Sequence, residues 1–286
     1  MSNKIPPRFA YFGTPAYSVF VLEELEAAGL LPTLVITAPD RPQGRGLTLT
    51  PPEVKIWAQA HEIDVLQPEK LKDPSFLGEL QNTEWDFFVV AAYGKILPPE
   101  LLAIPRRGIL NVHPSLLPKF RGASPIHGQI LADEQKTGVT VILIDEAMDH
   151  GPVLAQASIE PDPWPVPYPI LEELLFREGG KLLADVIPRW LTGDITPEEQ
   201  NHDEATYTKK IEKEDGLLDL GDDDYKNYLK FQAYRTWPGV FFFEKKGSED
   251  VRLKVTDASF EDGVFTILKV IPEGKKEVPY EIFRHN

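Results

Sequence analysis

The chain has 286 residues, 42% of them apolar, which is enough for substantial cores and longer than one domain usually runs, so two domains are expected. It contains no cysteine, which excludes disulfides, thiolate catalysis and cysteine-built zinc sites; its six scattered histidines offer no metal-ligand spacing, so no metal is expected either. The formal charge of −15 excludes a broadly basic nucleic-acid surface, and no apolar run approaches the roughly 18 to 20 residues of a membrane helix. Met1-Ser-Asn-Lys4 does not open a secretory leader, so a soluble cytoplasmic protein without a membrane partner is expected.

Residues 9–12 form a short apolar strand ending at Gly13-Thr14-Pro15, after which residues 18–28 carry apolar side chains at helical spacing, with Gly29 as a stop. Residues 32–37 give the next strand. A loop rich in Arg, Gly and Pro follows, Pro39-Asp40-Arg41-Pro42-Gln43-Gly44-Arg45-Gly46, running on to Pro51-Pro52. Then come a helix over 53–61, a strand at 64–66 and a helix near 75–81. Asp86-Phe-Phe-Val-Val-Ala-Ala92 reads as a buried central strand, because both of its faces are apolar, and it ends in Tyr93-Gly94-Lys95-Ile96-Leu97-Pro98. Further strands are expected at 108–112, 138–144 and 152–158.

The proline-rich run over 161–169 cannot sustain a helix or a central strand and reads as an ordered surface crossing. A helix over 170–191 closes a first domain at 1–191, residues 192–206 form a polar linker, and 207–286 form a second domain. That domain offers about three strands, at 240–244, 252–256 and 264–270. Asp222-Asp-Asp224 reads as a helix start, and Phe241-Phe-Phe243 as filling for both faces of a small core. Strands alternating with helices in the first domain imply a parallel sheet with its site at the strands' carboxyl ends. No G-x-G-x-x-G fingerprint is present, so a nicotinamide cofactor is not expected.

Asn111 and His113 leave one face of the strand at 108–112 and its end, because strand side chains alternate. An amide that donates hydrogen bonds and an imidazole that donates or exchanges protons near neutral pH suit acyl or formyl transfer to an amine, where a carbonyl oxygen gathers negative charge. Asp149, in Asp145-Glu-Ala-Met-Asp149-His150-Gly151, supplies a carboxylate to orient the imidazole or relay a proton.

The ordered set Asn111-Val-His113-Pro-Ser115-Leu116-Leu117-Pro118, Arg121-Gly122-Ala-Ser-Pro125-Ile, Thr137-Gly138-Val-Thr140, and Asp149 with Gly151 resembles the formyltransferases that use 10-formyltetrahydrofolate. The resemblance implies that Asn111, His113 and Asp149 are catalytic. It also implies that Phe12, Gly13, Thr14, Tyr93, Gly94, Ile96, Leu97, Ser115, Leu116, Leu117 and Pro118 line the folate site. The loop from Pro39 to Gly46 resembles that of methionyl-tRNA formyltransferases. So do Thr206-Tyr-Thr-Lys209-Lys210-Ile, Trp237-Pro238-Gly239 and Pro272-Glu-Gly274-Lys275-Lys276 in the C-terminal region.

The implied fold is α/β, a Rossmann-like parallel sheet followed by a small β-barrel of the oligonucleotide-binding type. Here about three strands leave that barrel reduced. The implied reaction moves a formyl group onto the amino group of methionyl initiator tRNA for translation initiation, in a monomeric enzyme. Arg41, Arg45, Lys119, Arg121, Lys209 and Lys210 are the expected contacts to the tRNA, since guanidinium and ammonium groups reach phosphates. With 14 Lys and Arg against 21 Asp and Glu over 191–286, neither domain is basic overall and only a local positive patch can serve. Two other readings stand beside this one: an amino-sugar nucleotide N-formyltransferase, and a catalytically silent folate- or tRNA-binding protein.

Overall fold

The computed structural model of the chain describes residues 6–44 and 47–285. In chain order the first elements are β1 (Phe9–Phe12), α1 (Ala16–Ala27), β2 (Leu34–Ile36), β3 (Arg41–Gln43), β4 (Thr48–Thr50), α2 (Glu53–Ala60), β5 (Asp64–Leu66), α3 (Pro74–Gln81) and β6 (Phe87–Val90). They continue as α4 (Pro99–Leu102), β7 (Ile109–His113), β8 (Arg121–Gly122), α5 (Pro125–Leu131), β9 (Thr137–Leu143), β10 (Val153–Ile159) and α6 (Tyr168–Thr192). The remainder are β11 (Tyr207–Thr208), α7 (Asp224–Ala233), β12 (Val240–Lys246), β13 (Glu249–Glu261), β14 (Val264–Pro272), β15 (Val278–Pro279) and α8 (Tyr280–His285). Contacts divide the chain into two compact units that interleave in sequence. The first is Met1–Arg121, Gly138–Ser158 and Glu173–Thr206; the second is Gly122–Thr137, Ile159–Glu172 and Tyr207–Asn286.

The first unit is built on a seven-stranded sheet in the order β10-β9-β7-β6-β1-β2-β5. β1 and β6 are buried along their whole length because FAYF and FFVV are apolar on both faces, the composition a central strand needs. Ala10, Phe12, Phe88, Val90 and Ile109 share one face with Phe76 and Leu80 of α3 and Leu101 of α4. The opposite face meets α6 where Gly179 lies on Val112, so closely that a Cβ on Gly179 would collide with the valine.

Five strands, β7-β6-β1-β2-β5, run parallel. β9 runs antiparallel to β7, in register from Leu110↔Leu143 to His113↔Thr140. It turns into β10 with Leu143 N donating to Pro152 O at 3.0 Å. The expected parallel sheet is present and gains an antiparallel pair at this edge, which the sequence did not show because alternation of apolar residues reads the same in both chain directions and carries no strand sense. The Asp145–Gly151 segment therefore leaves a strand of opposite sense rather than joining the parallel set.

The stretch from Pro39 to Pro52, expected as a loop, contains the antiparallel hairpin β3–β4, with Arg41 opposite Thr50. Its base is clamped by Asp40, whose carboxylate accepts both oxygens' worth of contact from Lys55 Nζ at 2.8 Å and one from Gln67 Nε2 at 2.7 Å. The hydrogen bonds from Lys55 and Gln67 hold that carboxyl below the usual range. Helices α4, α5 and α8, at four, seven and six residues, are too short to leave a periodic signal in the sequence. No helix among the described residues is long and apolar enough to cross a membrane.

In the second unit β12-β13-β14-β15 form an antiparallel sheet of four strands, the last only two residues long. Asp223 caps α7 by accepting from Lys226 N at 3.0 Å, in line with the acidic helix start read from residues 222–224. α7 lies on the sheet through Tyr228 stacked on Phe260 at 5.3 Å and Phe231 tilted against Phe265 at 6.3 Å. Phe241 and Phe242 are buried on alternate faces, whereas Phe243 is 54% exposed, so the aromatic run fills the core over two residues and not three. The proline-rich crossing is anchored where Trp164 Nε1 donates to Asp133 at 2.7 Å.

Candidate active site

β7 delivers two of the three expected catalytic side chains. Leu110 and Val112 point to the α6 face, so Asn111 and His113 share the other. The Asn111 carboxamide makes no hydrogen bond among the described residues, which leaves both its donors for a ligand. His113 is 4% exposed. Beyond it the chain is tied down: Thr140 Oγ1 donates to Ser115 O at 2.7 Å and accepts from Leu117 N at 3.1 Å. Gln156 Nε2 donates to Leu117 O at 2.8 Å. Ser115 itself donates to Lys119 O at 2.7 Å and is fully buried, so its hydroxyl is committed internally.

Asp149 reaches His113 from the turn after β9, its Oδ1 3.5 Å from Nδ1. The other ring nitrogen, Nε2, lies 3.0 Å from Phe120 O. Both imidazole nitrogens thus face oxygen atoms. Asp149 adopts φ 52°, in the left-handed region that ordinary residues visit only at some cost. Two residues on, Gly151 passes so close to the Leu143 carbonyl oxygen that any Cβ would collide with it.

The strand-end segments expected around the folate meet one another at the ends of β1 and β6. Thr14 Oγ1 donates to Tyr93 O at 3.4 Å, and the Phe12 and Tyr93 rings pack edge to face at 5.4 Å. Gly13 has no room for a side chain, because a Cβ would strike Ser18 Oγ, itself bonded to Ala91 O at 2.8 Å. Tyr93 keeps a buried hydroxyl without a hydrogen-bond partner, and burial pushes its pKa up to about 12, so it stays a phenol. Gly94 turns the chain at φ 78°, Ile96 is 85% exposed and Leu97 is buried. Leu117 is buried and precedes a cis peptide to Pro118, while Leu116 packs against Gly138.

The expected cationic contacts separate into distinct environments. Arg41 is exposed on the hairpin, close enough to Lys95 that its charge, after burial of the lysine, holds the Lys95 ammonium below its usual value. Arg45 lies outside the described residues. Lys119 is exposed. Arg121, in contrast, is 1% exposed and turns inward, with Nη2 2.6 Å from Gln200 Oε1 and 2.9 Å from His202 Nδ1. That burial contradicts its expected role as a phosphate contact: a guanidinium with inward partners and almost no solvent access cannot meet an exterior phosphate. In the second unit Lys209 is exposed and pairs with Asp215 at 2.9 Å, and Lys210 is exposed.

Sequence reasoning missed Gln200 and Gln156, and it quoted Thr140 only as part of a motif, without a role. Each acts through hydrogen bonds to segments distant in the chain, for which no local pattern exists. Gln200 falls in the stretch read as linker, 51 residues beyond the Asp149 whose carbonyl it holds.

Comparison with known proteins shows the family of the chain. The profile of the family described as formyl transferase matches residues 8–167, more than half the chain. A methionyl-tRNA formyltransferase of Chloroflexus aurantiacus is 47% identical over 236 residues, covering 82% of this chain and 76% of its own. That of Thermus thermophilus is 40% identical over 270 residues, covering 93% and 86%. Among solved structures, a methionyl-tRNA formyltransferase from Clostridium thermocellum superposes with a TM-score of 0.60 at 17% identity, covering 96% of this chain and 99% of its own. An N-formyltransferase from Helicobacter canadensis, solved with folinic acid and dTDP-3-aminofucose, gives 0.66 at 16% identity over 96% and 98%. At such identities these two structures share the fold.

Proposed function

We propose, on the premise that this chain belongs to the methionyl-tRNA formyltransferases of the formyl transferase family, that it formylates the amino group of methionyl initiator tRNA and that Asn111, His113 and Asp149 carry the transfer. The observation that carries the reading is the meeting of His113 with Asp149 beside an unengaged Asn111, in a chain 47% identical over most of its length to an enzyme of that name.

The formyl donor in this reading is 10-formyltetrahydrofolate, which supplies the carbonyl carbon that the amine attacks. The residues present suit such a polar heterocyclic ligand. Tyr93 offers a buried hydroxyl without a partner, the Phe12–Thr14 and Tyr93–Leu97 segments adjoin, and Ile96 offers exposed apolar surface. Asn111 donates its amide hydrogens to the formyl oxygen as negative charge gathers there, a contact worth most in a site that excludes water. Protonated His113 adds its charge beside that oxygen. Asp149 fixes the ring through Nδ1 and takes part in moving the proton released by the amine toward the departing nitrogen. No Ser or Cys nucleophile is needed, because the attacking group is the substrate's own amine.

Arg41 and Lys119 are the exposed cations of the first unit that fit contacts to the acceptor end of the tRNA, and Lys209 and Lys210 those of the second. The division of labour follows the sequence reading, with catalysis in the N-terminal part and tRNA contacts supplemented by the C-terminal part. The test is formylation of methionyl initiator tRNA with 10-formyltetrahydrofolate, beside methionyl elongator tRNA, at two salt concentrations. Rapid, initiator-selective product is expected. Folate binding with product on an amino-sugar nucleotide and none on tRNA would replace the acceptor assignment.

A further inference from the structure

The turn that carries Asp149 has no regular secondary structure, yet its backbone is held at several points by side chains that the transfer itself does not use. Gln200 is 7% exposed, and its carboxamide is fully spent. Nε2 donates to Asp149 O at 2.9 Å and to Gly151 O at 2.7 Å, while Oε1 accepts from Arg121 Nε at 3.2 Å and Nη2 at 2.6 Å. The partners dictate the orientation of the amide. Reversing it would set N–H against a guanidinium and oxygen against two carbonyls.

Arg121 is itself fixed, because its backbone N–H donates to Thr206 O at 2.8 Å and Nη2 lies 2.9 Å from His202 Nδ1. His202 stacks on His150 at 4.0 Å with only 6° between the rings, and His150 Nδ1 lies 2.7 Å from Asp145 Oδ2, at the start of the same turn. The segment 145–151 is thus gripped at both ends by one connected network.

We propose that Gln200 is a positioning residue for Asp149, and that buried Arg121 serves it by holding the amide in the one orientation that donates to the turn. The inference rests on the catalytic reading of Asp149 given above. Physically, Asp149 stands in a left-handed conformation with its carboxylate at 3.5 Å from His113, already at the outer limit of a hydrogen bond. Loss of the two hydrogen bonds, to its own carbonyl and to that of Gly151, lets the carboxylate drift. A misplacement of about 1 Å in a catalytic group costs on the order of 100-fold. Glutamine suits the task because it alone among uncharged side chains of this length accepts twice on one atom and donates twice on the other.

The test compares Gln200→Ala, Asp149→Ala and the double variant for kcat and for KM toward each substrate. Gln200→Ala is expected to lower kcat roughly 10- to 100-fold with both KM values within about 3-fold, and to add less than about 3-fold in the Asp149→Ala background. Gln200→Glu guards against a simple folding defect. It keeps the volume and gives Arg121 a charged acceptor while setting an oxygen against both carbonyls, so kcat is expected to fall while the near-ultraviolet circular dichroism spectrum stays that of the folded parent chain. Equal losses from Gln200→Ala in both backgrounds, or a Gln200→Glu variant with unchanged kcat, overturn the inference and leave the role of Asp149 intact. An Asp149→Ala variant with unchanged kcat overturns the catalytic reading, and this inference with it.

Discussion

His127 provides a sharp test of how the second unit is held together. Its ring lies between Tyr168 and Tyr234, with centroids at 4.1 and 5.7 Å, and its Nε2 is buried without a partner. Burial, opposed by a hydrogen bond with the Trp237 backbone, pushes the pKa from 6.5 down to about 4. Between those two values an unfolded chain binds a proton that the folded one refuses. Stability therefore rises with pH across this window: the contribution is complete above about pH 6.5 and is lost as pH falls toward 4. Each tenfold change in proton affinity is worth about 1.4 kcal/mol, so the swing is roughly 3 kcal/mol at most, reduced toward ~2 by the ring's partial exposure.

His127→Phe keeps a ring between the two tyrosines and cannot be protonated. Unfolding of both proteins would be followed from pH 4 to 7.5 by denaturant titration. The variant pays a constant penalty for the unsatisfied Trp237 carbonyl at every pH, so the informative quantity is the change in the stability gap. The gap is expected to shift by about 2–3 kcal/mol in favour of the variant on going from pH 7 to pH 4. A gap that stays constant over that range would show that His127 is not held neutral by its surroundings.

Two further expectations concern the transfer and its acceptor. Asn111→Ala removes one donor to the formyl oxygen and is expected to lower kcat by about 100- to 1,000-fold with little change in KM, while His113→Ala costs on the order of 100-fold or more. Steady-state formylation at saturating substrates checks both, and a loss below about 5-fold in either removes that residue from the transfer. Arg41→Ala is expected to raise KM for methionyl-tRNA with kcat retained and to flatten the dependence of log KM on log salt by about 0.7 to 0.9, the share of a single phosphate contact. An unchanged salt slope takes Arg41 out of the RNA interface.

The pair Asn111 and His113 is legible in the sequence because alternation alone puts positions two apart on one strand face, whatever surrounds the strand. The central strands β1 and β6 are legible for a related reason: runs apolar on both faces have no stable place except between two layers. The helix start at Asp223 is likewise local, because a cap needs only the amide three residues ahead. Arg121 reads differently in the two views. In the sequence it is a cation inside a ligand-binding motif, and its charge suggests a phosphate. In the fold it is buried against Gln200, 79 residues away, and serves the site from behind.

By itself, then, the sequence determined the longer strands and helices, which side chains share a face, and, through the resemblance of the 108–151 region, the chemistry to look for. Only the tertiary structure decided that β9 runs against β7, that the Pro39–Pro52 stretch closes as a hairpin on Asp40, Lys55 and Gln67, and that Gln200 holds the backbone of Asp149. Spacing along a chain specifies periodicity and local caps. The sense of a strand and the partner of a buried polar group are settled by pairing between segments remote in sequence, where each desolvated donor and acceptor must find its complement.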